Sequence, residues 1–189
     1  MGTAVENRAQ RFRDLIEPLL NDAYTFARYL SRDPSASEDI VQEAALRAFR
    51  HLDSLRNSDA RPWVLKIVRN CFYGWREKVV RAGTQSLDEE LNIDDANSSE
   101  TESHQAQLDL DPQHILERTV KREAVRAMIE TLPVQYRETL VLRELNDLSY
   151  REIADLTGMP IGTVMSRLAR ARDLLRKMWL ERAEEGALL

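Results

Sequence analysis

Residues 148–176 read LSYREIADLTGMPIGTVMSRLARARDLLR, and the apolar spacing of this stretch predicts two helices joined by a tight turn. Ser149 followed by Glu152 has the spacing of a capping box, in which the side chain of each residue accepts a hydrogen bond from the backbone N–H of the other. Gly158 is suited to the end of the first helix and Pro160 to the start of the second, which leaves a corner of about three residues. The inward positions are expected to be Ile153, Ala154 and Leu156, then Val164, Leu168, Ala171 and Leu175.

The second of these helices is strongly basic. Residues 159–179 contain five Arg or Lys side chains and one acid, Asp173. A sharply joined helix pair whose second member presents cations is the geometry with which a helix-turn-helix enters the major groove of DNA. The alternative is an ordinary helical hairpin with a solvated basic face, and this stretch alone leaves both interpretations open.

The charge of the chain is unevenly distributed. Its 189 residues carry 27 basic and 32 acidic side chains, a formal net charge of -5. All of the net acidity lies in residues 84–112, which contain nine acids and no Lys or Arg. This segment has no helical apolar stripe and cannot bury enough surface to offset its chain entropy. We therefore expect a flexible acidic linker between two small helical domains, an all-α fold.

Composition argues against several classes of protein. The lone Cys71 cannot form an internal disulfide, which fits a reducing cytoplasm. No apolar run approaches the roughly 20 residues of a membrane span, and the N-terminus has no signal-peptide core. The three histidines and Cys71 have no metal-ligand spacing, and no phosphate loop or nucleophile motif is present. We expect a soluble cytoplasmic protein that is not an enzyme and uses no cofactor or metal.

Two helical segments are expected before residue 53. Residues 12–30 form an apolar stripe that Pro18 interrupts. Ser35 with Glu38 has a second capping-box spacing and predicts a helix that continues to Leu52. Its inward residues would be Val41, Ala45, Ala48 and Leu52. Its outer side would carry Asp39, Glu43, Arg47 and Arg50, either as an intrahelical charge ladder or as a surface that binds a partner.

Residues 61–81 combine cations with aromatic rings. They include six basic residues and one acid, with Trp63, Phe72 and Tyr73 among them. Cations follow a phosphate backbone and aromatic faces stack on unpaired bases, so this mixture suits single-stranded nucleic acid. The alternative is a core helix whose arginines keep it soluble, with Trp63 in the core. The buried stripe would consist of Val64, Ile67, Val68, Cys71 and Trp75.

Four helices are expected after the linker. Asp111 and Pro112 form a plausible helix start, and Pro133 begins a further helix that leads into residues 148–176. The apolar positions of the first of these helices are Val120, Ala124, Ala127, Met128 and Leu132.

Taken in order, these segments resemble the extracytoplasmic-function (ECF) group of bacterial sigma factors, the dissociable subunits that give RNA polymerase its promoter specificity. EDIVQEAALRAFRHL (38–52) resembles the region 2 helix of that family, and PWVLKIVRN (62–70) its promoter-melting helix. LPVQYRETLVLRELNDLSYREIADLTGMPIGTVMSRLARAR (132–172) resembles its region 4. The resemblance implies a region 2 domain over residues 1–83, a linker over 84–112 and a region 4 domain over 113–189.

The resemblance also implies roles for individual residues. The surface that binds the coiled coil of the polymerase β′ subunit would contain Asp39, Gln42 and Glu43. The residues that melt the -10 element and read a flipped base would be Asn57, Ser58, Asp59, Arg61, Trp63, Lys66, Asn70 and Tyr73. The residues that read the -35 element would be Arg151, Thr163, Met165, Ser166, Arg167, Ala169 and Arg170. The implied partners are core RNA polymerase through β′ and β, promoter DNA both duplex and melted, and an anti-sigma factor.

Four residues depart from the usual pattern of the family. Met165 stands where relatives often carry Arg, and Ala169 where the residue is often larger. Gly74 replaces a common Asp, and Glu77 interrupts a run that is usually basic. The -35 preference of a relative therefore cannot be transferred to this chain.

Three other classes of protein remain as alternatives. A stand-alone helix-turn-helix regulator would bind duplex operator DNA, usually as a dimer, but it has no need of a basic-aromatic helix that stacks on melted bases. An enzyme with a helical regulatory domain would need a catalytic constellation that the sequence lacks. A soluble module that regulates another sigma factor is the third.

Limited proteolysis of the full chain should cut first within about residues 84–112, because a segment without a packed core offers its backbone to a protease. Mass spectrometry of the earliest fragments locates the cuts. Even cleavage along the whole chain would contradict the predicted linker.

Overall fold

A computed structural model describes the backbone of residues 2–55, 59–83 and 112–184, and the side chains of 6–55, 59–83 and 122–182. Within those ranges the chain forms α-helices and short 3-10 turns and no strand, which confirms the all-α prediction. The helices of the first domain are α1 (Gly2–Leu15), α2 (Leu20–Ser31), α3 (Pro34–His51) and α4 (Ala60–Arg81). Those of the second are α5 (Pro112–Thr131), α6 (Val134–Glu144), α7 (Tyr150–Thr157) and α8 (Ile161–Glu184).

The first domain packs α2, α3 and α4 together around an apolar core. Pro18 separates α1 from α2, as predicted, and lies in a short 3-10 turn, Glu17–Leu19. A proline fits this position because it lacks the N–H that a continuous helix would require. Among the largest side chains that are fully enclosed are Ile16, Phe26 and Leu65.

Helix α3 does not begin with the predicted capping box at Ser35. Its N-cap is Asp33, whose Oδ1 accepts a hydrogen bond from the backbone N–H of Ala36 at 3.1 Å. Pro34 then occupies the first helical position, where its fixed φ and missing N–H carry no penalty, so the Asp-Pro pair sets the start of the helix. Of the predicted inward residues, Ala48 and Leu52 are buried, whereas Val41 and Ala45 are only half-buried. The rest of the buried face of α3 consists of Ala36, Ser37, Ile40 and Ala44.

Helix α4 buries one face in the first domain. Val64, Val68 and Cys71 are buried as predicted, while Ile67 and Trp75 are only half-buried. Burial raises the pKa of the Cys71 thiol, so this residue belongs to the core. Phe72 is also buried, so the core position, one of the two interpretations open for the aromatic residues of this helix, applies to this ring.

Over residues 112–184 the second domain forms four helices, as predicted. Helix α6 begins at Val134, with Pro133 at the N-cap position just before it. Val164, Leu168 and Ala171 of α8 are buried, whereas Leu175 is half-buried. Met128 of α5 and Leu132 just after it are buried, but Ala127 is exposed and Val120 lies outside the described side chains.

The two domains lie against each other. Helix α2 of the first domain packs on α6, and α4 packs on α7. Buried apolar residues of both domains belong to one continuous cluster. One side of α4 therefore faces the second domain.

The corner between α7 and α8 has the predicted local structure. Ser149 and Glu152 form both hydrogen bonds of the capping box: the Ser149 N–H donates to Glu152 Oε2 at 2.7 Å, and the Glu152 N–H donates to Ser149 Oγ at 3.2 Å. The hydrogen bonds from Ser149 lower the pKa of the Glu152 carboxyl. Gly158 ends α7 with φ 74°, and three residues separate the helices, which confirms the predicted corner.

Substitution of the two glycines in this motif should have opposite effects on stability. Gly158→Ala should lower the free energy of unfolding by about 1–2 kcal/mol, because a side chain is strained at this left-handed φ. Gly162→Ala is the matched control: it lies within α8, has open space around it, and should leave stability unchanged or slightly increased. Urea unfolding monitored by circular dichroism distinguishes the two, and equal effects would contradict the role given to Gly158.

Candidate nucleic-acid interface

The outer side of α8 is polar and accessible. Ser166, Arg170 and the apolar Met165 are exposed, Met165 at 52%. Ser166 Oγ donates to the carbonyl of Thr163 at 3.0 Å, which holds the hydroxyl close to the helix. Of the other residues predicted to read the -35 element, Arg151 and Ala169 are exposed and Thr163 and Arg167 are half-buried. All seven therefore lie outside the core of the second domain.

Two neighbouring arginines of α8 differ in their availability. Arg170 lies 3.6 Å from Asp173 in an exposed pair one turn apart, an interaction of little strength in water. Arg172 instead donates two hydrogen bonds to Glu144 Oε1 of α6, at 2.6 and 3.2 Å, and these raise its pKa. Arg172 is therefore engaged within the second domain, whereas Arg170 can reach a partner.

The predicted polymerase surface on α3 is accessible as well. Asp39 and Gln42 are exposed, and Glu43 is half-buried. Arg47 Nε donates to Glu43 Oε1 at 2.7 Å, so part of the predicted charge ladder is present, and this hydrogen bond lowers the pKa of Glu43. The sequence analysis missed Leu46, which is 48% exposed between these charges. A single exposed leucine is common on protein surfaces, so Leu46 does not by itself decide between an intrahelical charge ladder and a contact surface.

The predicted -10 residues are divided among different environments. Asn57 and Ser58 lie outside the described residues. Asp59 is the N-cap of α4, and its Oδ1 accepts from the Arg61 N–H at 3.0 Å. Asn70 is exposed, and Trp63 is half-buried against the core, so its predicted core position is only partly realised.

Three of the other -10 residues contact the second domain. Arg61 Nη1 donates to the carbonyl of Asn146 at 3.4 Å, and Lys66 Nζ to the carbonyl of Asp155 at 3.4 Å. Tyr73 donates its hydroxyl to Glu138 Oε2 at 3.3 Å. Arg61 also pairs with Asp22 of its own domain at 3.2 Å.

A buried ion pair between the domains joins Arg69 to Glu138. Arg69 Nε lies 2.7 Å from Glu138 Oε1, and its guanidinium lies over the Tyr73 ring, 4.7 Å from the ring centroid. The Glu138 side chain is 1% exposed. Burial raises the pKa of the Glu138 carboxyl. The hydrogen bonds from Arg69 and Tyr73 and the positive charges of Arg69 and Arg167 act in the opposite direction and offset part of this increase.

Sequence reasoning did not single out Arg69 or Glu138 as a pair. They are 69 residues apart and belong to different helices of different domains. The one local signal was a carboxylate within the otherwise apolar centre of α6, where residues 137–142 are all buried. A buried charge requires a partner, but the sequence does not identify which cation supplies it.

Within the described residues, no helix is both long and apolar enough to cross a membrane.

Two segments of the chain match known protein families. Residues 15–81 match the family described as Sigma-70 region 2, and residues 122–175 match Sigma-70, region 4. The first match covers α2, α3 and α4, and the second covers the corner between α7 and α8.

Several curated proteins are similar over most of the chain. The ECF RNA polymerase sigma-E factor of Escherichia coli (strain K12) is 33% identical over 138 residues, which span 72% of this chain and 70% of that protein. The ECF RNA polymerase sigma-E factor of Haemophilus influenzae is 31% identical over 78% of this chain and 76% of that protein. ECF RNA polymerase sigma factor SigM of Bacillus subtilis is 26% identical over 88% and 93%.

Solved structures share the arrangement of helices. The sigma factor RpoE of Bartonella quintana, solved in complex with the anti-sigma factor NepR, is 27% identical, with a TM-score of 0.66 over 89% of this chain and 96% of that one. CnrH, solved in complex with the cytosolic domain of CnrY, is 18% identical, with a TM-score of 0.62 over 94% of this chain and 93% of that one, and supports the fold alone.

Proposed function

The chain belongs to the ECF sigma factors of bacterial RNA polymerase, and on that premise we propose which of its residues bind polymerase and which recognise each promoter element. As a sigma factor it binds core RNA polymerase and directs transcription initiation at promoters. We assign residues 1–83 to polymerase binding and the -10 element, residues 84–112 to a linker, and residues 113–189 to the -35 element.

The observation that supports this division is that one chain carries two chemically different surfaces, each suited to a different form of nucleic acid. At the corner of α7 and α8, a sharp turn leads into α8, which carries exposed polar and cationic side chains. A helix presented in this way fits the major groove of duplex DNA. Helix α4 combines cations with aromatic rings, which suits unpaired bases. A protein that only bound duplex operator DNA would need the first surface but not the second.

The -35 contacts are assigned to α8 and to Arg151 of α7. Arg167 and Arg170 supply cations, and Thr163 and Ser166 supply hydroxyls for base edges or phosphates. Met165 and Ala169 add apolar surface, which suits a thymine methyl group better than a guanine edge. This combination gives the chain a -35 preference of its own.

The polymerase contact is assigned to α3. Asp39, Gln42 and Glu43 offer acidic and amide groups to a basic helical partner such as the coiled coil of the β′ subunit. Leu46 supplies an apolar centre for the same surface.

The -10 element is assigned to the segment that includes Asn57, Ser58 and Asp59 and to α4. Extrusion of a base from the duplex exposes its edges to a loop and its ring faces to aromatic side chains. On α4, Trp63 and Tyr73 would supply the stacking surface, Arg61 and Lys66 would contact phosphates, and Asn70 would contact a base edge.

An anti-sigma factor is proposed as a further partner, since RpoE of Bartonella quintana was solved with one. The protein would act in the cytoplasm, where the polymerase is found, and as an initiation factor rather than an enzyme.

Transcription in vitro with core polymerase and a library of promoter fragments tests the assignment directly. The full chain should select fragments that share two separated motifs and should start RNA synthesis downstream of them. Binding of duplex DNA without any polymerase-dependent transcription would instead support a stand-alone regulator.

Arg170→Ala should weaken binding of the holoenzyme to duplexes recovered from that selection by about 1–3 kcal/mol if Arg170 makes a bidentate base contact. Arg172→Ala is the matched control, because it removes the same charge from the same helix but from a side chain engaged with Glu144. Fluorescence anisotropy with labelled duplex measures both. Equal affinities for the two variants would exclude Arg170 from base readout.

Joint charge reversal of Asp39 and Glu43 to Lys should impair association with core polymerase, because the acidic side chains of the proposed surface would then repel a basic partner. The control is joint reversal of the exposed Asp14 and Glu17, which changes the net charge equally outside α3. A pull-down with core polymerase provides the measurement, and circular dichroism verifies folding. Normal association of the α3 variant would remove these residues from the interface.

A further inference from the structure

We propose that helix α1 positions the segment that reads the -10 element, because Arg11 of α1 holds the chain at Leu55, shortly before that segment. The Leu55 anchor, as defined here, consists of Arg8, Arg11, Asp53 and the carbonyl of Leu55. The inference rests on the proposed assignment of residues 57–59 to the -10 element. It adds positioning residues from a helix to which that assignment gives no part.

Leu55 is held through its side chain, its N–H and its carbonyl. The side chain is 4% exposed and belongs to the core of the first domain. The N–H donates to the carbonyl of Leu52 at 3.1 Å, which closes a short 3-10 turn. The carbonyl accepts from Arg11 Nη2 at 2.9 Å. A peptide unit is planar, so the bond to this carbonyl also restrains the direction in which the chain continues.

Asp53 brings the two arginines of the anchor together. Its carboxylate pairs with Arg8, and its Oδ1 lies 4.0 Å from Arg11 Nη1. Arg11 therefore directs one Nη to this carboxylate and the other to the carbonyl of Leu55. The guanidinium is a rigid planar fork, so it holds these two points of the chain in a fixed relation to α1.

A contribution to stability does not account for the anchor. Its charged side chains are 40–67% exposed, and ion pairs at such exposure contribute little to the free energy of unfolding. Helix α1 is seated instead by apolar contacts, since Phe12 packs edge-on against Phe49 of α3 with ring centroids 5.6 Å apart. The arginines are not needed to dock α1, and their main effect is to position Leu55.

The other end of the segment is held separately. Asp59 Oδ1 accepts from the Arg61 N–H at 3.0 Å at the start of α4, and Arg61 Nη2 lies 3.2 Å from Asp22 of α2. The chain between Leu55 and Asp59 thus runs between two held points, one of which α1 provides. Groups that are positioned before binding lose less entropy with the correct ligand and adapt less readily to an incorrect one. We therefore expect the anchor to increase base selectivity at the -10 element.

The anchor is not implied by the family match. That match begins at residue 15, so Arg8 and Arg11 precede it. Their spacing of three residues places both side chains on one side of α1, but their partners are 45 and 44 residues away in sequence. The anchor is therefore a property of this chain's own residues.

The main test compares two full-length arginine variants. Arg11→Ala removes the donor to the Leu55 carbonyl. Arg13→Ala is the matched control, because it removes the same charge from the same helix, but from an exposed side chain that donates to Gln10 of α1.

A second pair of variants weakens the anchor without a change in α1. Asp53→Ala removes the carboxylate that pairs with Arg8 and Arg11. Asp14→Ala is its control, because the Asp14 carboxylate is exposed and accepts from Gln10 within α1.

Transcription with core polymerase measures selectivity. It compares a promoter fragment recovered from the library selection with fragments in which single base pairs of the -10 motif are replaced and the -35 motif is kept. The ratio of the two initiation rates should be several-fold lower for Arg11→Ala than for Arg13→Ala, while both holoenzymes bind the -35 duplex equally. A general loss of folded protein would lower all rates together and leave the ratio unchanged.

Equal ratios for Arg11→Ala and Arg13→Ala would overturn the inference. Circular dichroism verifies helix content. If Arg11→Ala lost helix content, the second pair would decide: a lower ratio for Asp53→Ala than for Asp14→Ala supports the anchor, and equal ratios reject it. A wild-type chain that did not distinguish the fragments would reject the -10 assignment itself, whereas a selective wild type with an equally selective Arg11→Ala would reject the anchor alone.

Discussion

The carboxylate of Glu138 is the constraint on which the arrangement of this protein depends. It lies in α6, where residues 137–142 are all buried, so the helix has no solvent-facing side over its central turns. A short helix enclosed in this way needs neighbours on every side, and α2, α7 and α8 supply them. The charge needs a cation as well, and the partner is Arg69 of the other domain. This pairing joins the second domain to α4, beside the apolar cluster that both domains share.

One consequence is a difference between the two proposed DNA-reading surfaces. The outer side of α8 faces solvent, and Arg170 is held only by an exposed pair. On α4, by contrast, Arg69 pairs with the buried Glu138 of α6, and Arg61 and Lys66 donate to two carbonyls of the second domain, those of Asn146 and Asp155. The basic-aromatic composition of α4 suits two kinds of acceptor, a DNA strand and the polar groups of the second domain. Charge alone does not distinguish between them, whereas the covalent tether gives the second domain a high local concentration.

Local features of the fold were predictable because they depend on neighbours in sequence. The capping box of Ser149 and Glu152, the left-handed Gly158 and the three-residue corner all formed as expected. The prediction failed at Ser35, because Asp33 with Pro34 offered a better helix start two residues earlier. The position of Phe72 stayed open, since an aromatic ring in a basic helix can belong to either face and only packing decided that it is buried. Leu46 escaped notice because an isolated leucine carries no periodic signal.

The sequence by itself determined the class of protein: two helical blocks in a fixed order, a sharp helix corner, and a basic-aromatic helix separated from it by an acidic segment. These follow from side-chain periodicity, capping and charge, which act over a few residues. Only the tertiary structure decided which cations are free and which are engaged. Arg170 and Arg172 look alike in sequence and both are exposed, yet Arg170 pairs only with Asp173 of its own helix, whereas Arg172 donates two hydrogen bonds to Glu144 of α6. Arg69 and Glu138 are 69 residues apart and come into contact because two helices of different domains pack together. No local sequence pattern predicts this contact.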